Sequence, residues 1–429
     1  MNVKKWFNDR GPKFIVQRAT RIVDRYGFST QQSTNRIVES MQVMAKYNCA
    51  PTFFTPGIVV ERYSQFISNL QSEGAEIAVH SYQHIDLGSI ETHDAIKQLE
   101  KAIQVYEKFG IENHGFRCPY LSCPDELLAA LPDGLFDYSS NQAIWIDAPI
   151  LNNAADQNII FNTLHRFYSP QPFSKTPSNP TIKPNYLEIP VCIPDDLQIH
   201  DGLDFDSDGI AQVWTGMLQQ TYQRSALFNL IYHPELSSIC QQSFEALLSQ
   251  ARQLQPAVWI ARLCDISEWW KEKANFATEV RPESDGFVLD FSCTPRASIL
   301  ARGLGDLESA KNWHGDYLQL TTKTLKLSTK QLPFIGLDSN VPAHTISFLK
   351  SQGYIVEIDE RASLCGLFID AEKLASFDNE LQIIDYIEGS QAPLIKFGLW
   401  PDGAKSALSI TGDLDALSLL DYATRLLPL

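Results

Sequence analysis

Two histidines and two aspartates in this sequence have residue types and spacings that are typical of a metal centre. His80 and His84 are four residues apart and follow the apolar segment EIAV. Asp413 and Asp415 follow the apolar stretch SALSITG close to the C-terminal end of the chain. Two imidazoles and one carboxylate can hold zinc or another transition metal and leave a coordination position open for water. The residue types therefore predict hydrolytic metal chemistry, provided that the two segments meet in the fold.

Three other polar residues also follow predicted strands. Arg117 and Tyr120 lie at the end of ENHGFRCPY, and His233 ends ALFNLIYH. In parallel α/β barrels the carboxyl ends of the strands form one rim, and active sites lie on that rim. We therefore expect these three residues to lie close to the histidine pair and the aspartate pair.

Local periodicity predicts how the two pairs are presented. The spacing of His80 and His84 would place both imidazoles on one face of a helical turn. In an extended strand, residues two apart point to the same side. Asp413 and Asp415 are therefore both expected to face the ion.

Strand-like and helix-like segments alternate between residues 31 and 275. Apolar runs such as TFF, AEIAVH and ALFNLIYH are separated by segments with the helical period, two of which end at glycine. This order predicts an α/β fold with parallel strands and outer helices. The composition changes near residue 276, and residues 276–395 are predicted to form a small α+β domain of unassigned role. The predicted divisions are therefore 1–275, 276–395, and a C-terminal strand and helix at 396–429.

Composition limits the classes of function. The 429 residues are 44% hydrophobic, which is enough for a sizeable core. The net charge of -16 argues against nucleic-acid binding, because a phosphate backbone requires a basic surface. No apolar run approaches the roughly 20 residues of a membrane span, the N-terminus lacks the apolar core of a secretory signal, and the eight cysteines form no C-x-x-C pair. These features predict a cytoplasmic protein with free thiols.

The N-terminal segment has the pattern of a basic amphipathic helix. Ile15, Ala19, Ile22 and Tyr26 recur at helical spacing with lysine and arginine between them. Such a helix can lie on an acidic membrane surface or dock on its own domain. We favour docking, because short helices gain most of their stability from packing, and peripheral membrane contact remains the alternative.

Three motifs in this order resemble a known family. HSYQH, RCPY and LIYHPE are similar to the second, third and fifth motifs of the polysaccharide deacetylase family (NodB homology, carbohydrate esterase family 4). TFF resembles the second strand of that fold, and WIARLCDISEWW resembles its closing strand and helix. The resemblance covers roughly residues 30–275. It implies a distorted (β/α) barrel that uses a divalent metal, with zinc as the first expectation, to remove N-acetyl groups from a saccharide.

The sequence departs from the family pattern at its beginning. The family opens with a strand that ends in two adjacent acids, directly before the helix that here begins near Ser33. Nothing before Ser33 has that form, since Asp24 is a single acid within the amphipathic segment. A matching strand occurs at the far end as SALSITGDLDALS, with Leu414 between the acids. The resemblance therefore implies a circularly permuted barrel, which is physically tolerable because domain termini often lie close together.

The resemblance also implies a role for each site residue. The metal ligands would be Asp415, His80 and His84. Asp413 would be the general base and Arg117 its partner, although the roles of the two aspartates could be exchanged.

The remaining implied roles concern the carbonyl and the leaving group. The backbone N–H of Tyr120 would stabilise the oxyanion, and His233 would protonate the leaving amine. Family members orient this histidine with an acid, for which Glu188 and Asp195 are the candidates here.

Two other function classes stay open from the sequence. A glycosyltransferase-like enzyme could use DLD as a metal and nucleotide-sugar motif, but HSYQH and RCPY would then be unexplained. A saccharide-binding relative could keep the barrel without turnover. The sequence predicts neither the identity of the sugar nor the oligomeric state.

Overall fold

A computed structural model describes residues 23, 25–155, 157–358 and 360–424. The predicted basic helix around Ile15, Ala19 and Ile22 lies outside the described residues, so its docking or membrane role stays a prediction. Among the helices that are described, none combines the length and the apolar character that crossing a bilayer requires.

The α-helices of the described residues are numbered in chain order. They are α1 (Thr30–Ala45), α2 (Gly57–Ser72), α3 (Thr92–Phe109), α4 (Asp125–Ala130), α5 (Pro149–Ala155), α6 (Ile159–Phe167), α7 (Asp196–Leu203), α8 (Ser207–Gln223), α9 (Ser237–Gln253), α10 (Leu263–Lys273), α11 (Ala343–Ser351), α12 (Ala371–Ala375), α13 (Glu380–Gly389) and α14 (Leu419–Thr424).

The strands are numbered in the same way. They are β1 (Thr52–Thr55), β2 (Glu76–Val79), β3 (Gly115–Phe116), β4 (Tyr138–Ser139), β5 (Ala143–Trp145), β6 (Gln171–Pro172), β7 (Thr181–Ile182), β8 (Leu187–Glu188), β9 (Val191–Ile193), β10 (Leu227–Tyr232), β11 (Val258–Ile260), β12 (Ala277–Glu283), β13 (Gly286–Ser292), β14 (Ile299–Arg302), β15 (Ala310–His314), β16 (Tyr317–Leu320), β17 (Thr324–Leu327), β18 (Leu332–Leu337), β19 (Val356–Glu357), β20 (Cys365–Ile369), β21 (Leu394–Phe397) and β22 (Ser406–Asp413).

Twelve strands form one large sheet. Its order is β6-β5-β9-β10-β22-β1-β2-β3-β4-β8-β7, and β11 pairs with the first half of β22. Every neighbouring pair is parallel except β7 with β8. The sheet is a curled half-barrel, and its edge strands β6 and β7 are not paired with each other. The predicted α/β class with a distorted barrel of parallel strands is confirmed.

The C-terminal strand β22 lies in the middle of this sheet. It pairs in parallel with β10 on one side and with β1 on the other. All eight of its residues are buried, as expected for a strand covered on both faces by other layers. The sheet is therefore completed by the last strand of the chain.

The outer helices follow from their apolar spacing. In α3, Ala95, Leu99, Ala102 and Tyr106 recur every three or four residues and are all at most 1% exposed, which is the stripe that a surface helix buries. The helix ends at Gly110, whose φ of 66° is a left-handed conformation that glycine adopts without strain.

The chain between residues 277 and 397 forms three smaller sheets. Two are antiparallel, with orders β12-β13-β17 and β15-β16-β14-β21, and the third is parallel, with order β19-β18-β20. Helices α11 to α13 belong to the same part of the chain. This mixture agrees in kind with the α+β segment predicted for 276–395, while the division into separate domains stays a prediction.

Candidate functional site

The register of the central strands brings four strand ends to one rim. Tyr232 lies opposite Gly412, so His233, which follows β10, and Asp413, the last residue of β22, lie side by side. On the other side of β22 come β1, β2 and β3, in that order. His80 follows β2 and Arg117 follows β3. The polar residues selected from the sequence thus come from adjacent parallel strands.

The segment that carries the two histidines is not helical, so the predicted helical turn is wrong. Ser81 has a φ of 64°, which a right-handed helix does not allow. The carbonyl groups of Ser81 and Tyr82 accept hydrogen bonds from the backbone N–H groups of Gly57 and Ile58, both at 2.9 Å. The start of α2 therefore takes the carbonyls that a helical turn would use. The two imidazoles still converge, with ring centroids 5.1 Å apart.

His84, His80 and Asp415 bring three metal-binding atoms together. Oδ1 of Asp415 lies 3.1 Å from Nε2 of His84 and 3.4 Å from Nε2 of His80. All three side chains are buried, and one ligand atom from each lies within 4.8 Å of the other two. Among the described residues, this is the group of histidine, cysteine and acidic side chains that has the geometry to hold an ion.

The hydrogen bonds of His80 test whether a cation fits this group. Its Nδ1 lies 2.8 Å from the carbonyl oxygen of Arg117, and a carbonyl only accepts, so Nδ1 carries the proton. The buried Nε2 makes no hydrogen bond, and it faces the Asp415 carboxylate. A buried nitrogen without a hydrogen-bond partner at 3.4 Å from a carboxylate oxygen is an arrangement that a shared cation would satisfy. The donor set is two imidazoles and a carboxylate, which suits zinc and other transition metals.

Asp413 contacts both this group and a buried arginine. Its Oδ2 lies 3.8 Å from Nε2 of His80, and its Oδ1 accepts a hydrogen bond from Nη1 of Arg117 at 2.8 Å. The other Arg117 nitrogens donate to Ser140 and Thr411, so the guanidinium is fully buried but satisfied. Asp413 is thus held in one orientation beside the metal-binding group.

His233 is oriented by Asp196, which the sequence analysis did not select. Asp196 accepts from the backbone N–H of His233 at 2.7 Å and from its Nδ1 at 2.8 Å. Burial lowers the pKa of His233, but the charge and hydrogen bond of Asp196 outweigh it and raise the pKa to about 10. The imidazole is therefore a cation at neutral pH, with its other nitrogen available to give a proton.

Neither acid proposed from the sequence orients His233. Asp195 caps α7, where it accepts from the backbone N–H of Gln198 at 2.6 Å. Burial raises the pKa of Asp195 to about 7, which the charge of His233 opposes. Glu188 accepts from the backbone N–H groups of Asn141 and Gln142, both at 2.8 Å. Both side chains therefore accept hydrogen bonds from backbone N–H groups.

Tyr120 lies beside the histidine pair. Its ring meets the ring of His84 edge-on at 4.7 Å between centroids, and 40% of the residue is exposed. Its φ of 61° is a left-handed conformation that a non-glycine residue rarely adopts, and such backbone outliers concentrate at functional sites.

The early site residues lie in a part of the chain that is similar to a known protein family. The family model for polysaccharide deacetylase matches residues 24–133. The resemblance to the polysaccharide deacetylase family that the three motifs indicated is thus confirmed for this part of the chain. This match includes His80, His84, Arg117 and Tyr120, and it ends long before Asp413.

A curated relative supports this assignment over a limited length. The chain is similar to the peptidoglycan-N-acetylmuramic acid deacetylase PdaC of Bacillus subtilis, with 27% identity over 143 residues. The matched part is 31% of this chain and 30% of PdaC. The chain thus covers less than a third of the length of this relative.

Solved structures of deacetylase-like proteins are similar at low identity. A polysaccharide-deacetylase-like protein from Mycobacterium smegmatis is 18% identical, with a TM-score of 0.43 over 58% of this chain and 81% of that one. A polysaccharide-deacetylase-like protein from Pseudomonas aeruginosa PAO1 is 16% identical, with a TM-score of 0.44 over 56% of this chain and 74% of that one.

Proposed function

We propose that this chain is a metal-dependent hydrolase that removes N-acetyl groups from a sugar or polysaccharide. The observation that carries the proposal is the approach of the Asp415 carboxylate to the histidine pair, at 3.1 Å from His84 and 3.4 Å from His80. The site would join a metal-binding group to an acid with a fixed orientation and to a cationic histidine, as amide hydrolysis requires.

Asp415, His80 and His84 would hold a divalent cation. Two nitrogen donors and one carboxylate favour zinc among the available metals. When bound, the cation lowers the pKa of a coordinated water and polarises the acetyl carbonyl.

The protein side chains would move the protons. Asp413 would accept the proton of the attacking water, while Arg117 keeps its carboxylate directed to the site through the 2.8 Å hydrogen bond. His233 would then donate a proton to the departing amine. Asp196 supports this step because it keeps the imidazole protonated and fixes the ring. The backbone N–H of Tyr120 would stabilise the negative charge that develops on the acetyl oxygen.

A circular permutation would explain why the acids come last. We propose that β22 corresponds to the first strand of the family fold and α1 to the helix that follows it. The central position of β22 between β10 and β1 supports this correspondence. In addition, the backbone N–H of Leu419 donates to the carbonyl of Gly27 at 2.9 Å, so the segment after the acids meets the segment before α1.

The proposal is tested by acetate release. The zinc-loaded protein is incubated with N-acetylglucosamine oligomers and, because PdaC is a peptidoglycan-N-acetylmuramic acid deacetylase, with peptidoglycan fragments. We expect acetate from at least one substrate, and a loss of at least about a hundredfold in Asp413→Asn and Asp415→Asn. Asp24→Asn is the matched control and should retain activity.

Each contrary result has a separate meaning. If Asp24→Asn abolishes activity and the late variants do not, the N-terminal segment supplies the acid and the permutation is wrong. If the metal is intact but no saccharide releases acetate, the domain is a binding protein. Hydrolysis of nucleotide sugars would favour the glycosyltransferase-like alternative.

A further inference from the structure

The loop that follows β22 is fastened to α2 by a buried carboxylate, Asp421. This residue is 3% exposed and lies in α14, six residues after Asp415. Its Oδ1 accepts from Nη1 of Arg62 at 2.7 Å, and its Oδ2 accepts from the hydroxyl of Tyr63 at 2.9 Å. Both donors belong to α2, so one side chain joins the end of the chain to an early helix.

The Asp421 carboxylate also accepts hydrogen bonds from the loop that carries Asp415, residues 414–418, which we call the acid loop. Oδ2 of Asp421 accepts from the backbone N–H of Leu417 at 3.3 Å and from the hydroxyl of Ser418 at 3.0 Å. At the other end of the loop, the backbone N–H of Leu414 donates to the carbonyl of Phe54 at 2.8 Å. Asp415 therefore lies between one anchor on β1 and a second anchor at Asp421.

Helix α2 holds the histidine segment as well. The N–H groups of its first two residues donate to the carbonyls of Ser81 and Tyr82, and the hydroxyl of Tyr82 donates to Glu61 of α2 at 3.0 Å. Helix α2 therefore contacts the two loops at adjacent positions. Residues 57–61 contact the histidine segment, and residues 62–63 contact Asp421, which follows the acid loop.

Two local features mark this junction. The backbone of Tyr63 leaves helical geometry, with φ of -130° and ψ of 33°, so α2 is kinked at the residue that donates to Asp421. Kinks have identifiable local causes, and here the kink coincides with the contact. In addition, a small cavity of about 30 Å³ is lined by His84 and Asp415 together with Arg62 and Asp421. The anchor and the metal-binding group therefore border one space.

We propose that Asp421 is a positioning residue for the metal centre and that metal binding and docking of α14 stabilise each other. The proposal rests on the function proposed above. Because residues 414–418 do not lead directly into α1, the position of the acid loop against α2 depends on noncovalent contacts. The cluster of Asp421, Arg62 and Tyr63 supplies such contacts. Because coupling is reciprocal, docking of α14 that strengthens metal binding is itself strengthened by the metal to the same extent.

The first measurement is metal affinity, by competition of the metal-free protein with a chromophoric zinc chelator. Residues that support metal ligands typically contribute about 10- to 100-fold in affinity. We expect Asp421→Ala to weaken zinc binding by at least about tenfold, and Asp421→Asn to weaken it less, because the amide oxygen still accepts hydrogen bonds. The matched control is Asp402→Asn, which breaks an exposed ion pair with Arg296 and should change affinity less than about twofold.

The second measurement is hydrogen exchange of the backbone amides of Leu417 and Leu419 with and without zinc. In the wild type we expect zinc to slow exchange at both amides. In Asp421→Ala this zinc-dependent slowing should be lost. A role limited to general stability would not link these two amides to the metal.

The outcomes separate this proposal from the function. Unchanged zinc affinity in Asp421→Ala, or exchange that does not respond to zinc, would overturn the anchor even if acetate is released. Normal coupling without acetate release would leave the anchor standing and refute the deacetylase. If Asp421→Ala does not fold, Tyr63→Phe removes a single hydroxyl donor, and an unchanged affinity in that variant would equally refute the proposal.

Discussion

The pair formed by Asp196 and His233 allows the proposed proton donor to be tested directly. Asp196 is fully buried and both of its oxygens accept hydrogen bonds from His233. Burial opposes the charge on the imidazole, yet the pKa of His233 is raised from 6.5 to about 10. At 1.36 kcal/mol per pKa unit, this rise corresponds to about 5 kcal/mol in favour of the imidazolium. Most of that energy must come from Asp196.

The perturbation is Asp196→Asn, which keeps the shape and removes the charge. Burial and the weaker effects of Glu235 and Asp195 then remain. We expect the pKa of His233 to fall by about two to three units, which equals about 3–4 kcal/mol. At pH 8.5 the wild-type imidazole stays protonated, whereas most of the variant loses its proton. kcat/KM at pH 8.5 should therefore fall about 4- to 30-fold relative to its value at pH 6.

The assay is the pH profile of kcat/KM for acetate release, combined with NMR titration of the His233 ring. Asp195→Asn is the matched control, because Asp195 is adjacent and buried but caps α7. We expect that variant to keep nearly all of its stability, because asparagine caps a helix about as well as aspartate, and to have a nearly unchanged basic limb. If the basic limb of the kcat/KM profile shifts in Asp195→Asn and not in Asp196→Asn, Asp195 is the acid that keeps His233 protonated. A basic limb that neither variant moves would exclude His233 as the proton donor.

The same pair predicts how stability depends on pH. A histidine whose folded pKa is raised contributes stability that is fully present below its unfolded pKa and is lost as pH rises through the folded pKa. For His233 this window extends from 6.5 to about 10. Asp196→Asn should therefore lower the free energy of unfolding most at pH 6 and progressively less towards pH 10, as measured by urea denaturation.

Three further changes test other parts of the structure. His84→Gln should weaken zinc binding more than the about 10- to 100-fold typical of residues behind the ligands, in a chelator competition. Arg117→Lys replaces the planar guanidinium, which donates to Asp413 and its neighbours, with an ammonium group that cannot reproduce this geometry. We therefore expect the free energy of unfolding in urea to fall by about 1–3 kcal/mol and the activity to be low. Burial raises the pKa of Glu388, but Lys396 and other donors lower it to about 2. The contribution of Glu388 to the free energy of unfolding should be lost as pH falls from 4.5 to 2. Because 31% of the side chain is exposed and solvent screens its charge, Glu388→Gln should lower the free energy of unfolding at pH 7 by only about 1–2 kcal/mol.

The rim of strand ends was predictable from residue types and order. Apolar runs that end in His80, His233 or Asp413 indicated parallel strands, because a strand buried on both faces is apolar throughout. The pairing of Arg117 with Asp413 followed only from the family resemblance. No local pattern relates two residues so far apart in sequence.

The conformation of the histidine segment was not predictable from spacing. A separation of four residues fits a helical turn, but it does not reveal that Gly57 and Ile58 take the carbonyls of Ser81 and Tyr82. This competition comes from another element, and periodicity reports only on the element itself.

The choice of acid for His233 was available in the sequence and was missed. Asp195 and Gln198 have the spacing of a capping box, in which the first side chain binds the backbone at the start of a helix. That pattern commits Asp195 to α7 and leaves the next residue, Asp196, for another partner. A reading that included the cap would have selected the acid that the structure pairs with His233.

The position of β22 at the end of the chain has a small thermodynamic cost. A usual βαβ unit joins neighbouring strands over about 30 residues, whereas β1 and β22 are separated by about 360 along the chain. Loop-closure entropy rises by about 0.6 kcal/mol per doubling of length, so the longer connection costs about 2 kcal/mol. Leu408 and Ile410 of β22 are completely buried, and each contributes about 1.5–3 kcal/mol. Burial of these two side chains therefore outweighs the entropic cost of pairing a strand that is distant in sequence.

Fixing the loop after that strand is a separate problem. Burial of β22 fixes the backbone up to Asp413, and Asp415 lies two residues beyond this last strand residue. A ligand that is free to move loses affinity for its ion, since the chain must be ordered on binding. The hydrogen bonds of Asp421 to Arg62 and Tyr63 order this loop before any ion binds. The hydrogen bonds of α2 to both loops therefore add to the burial of Leu414, Ala416 and Leu417 in ordering the proposed metal centre.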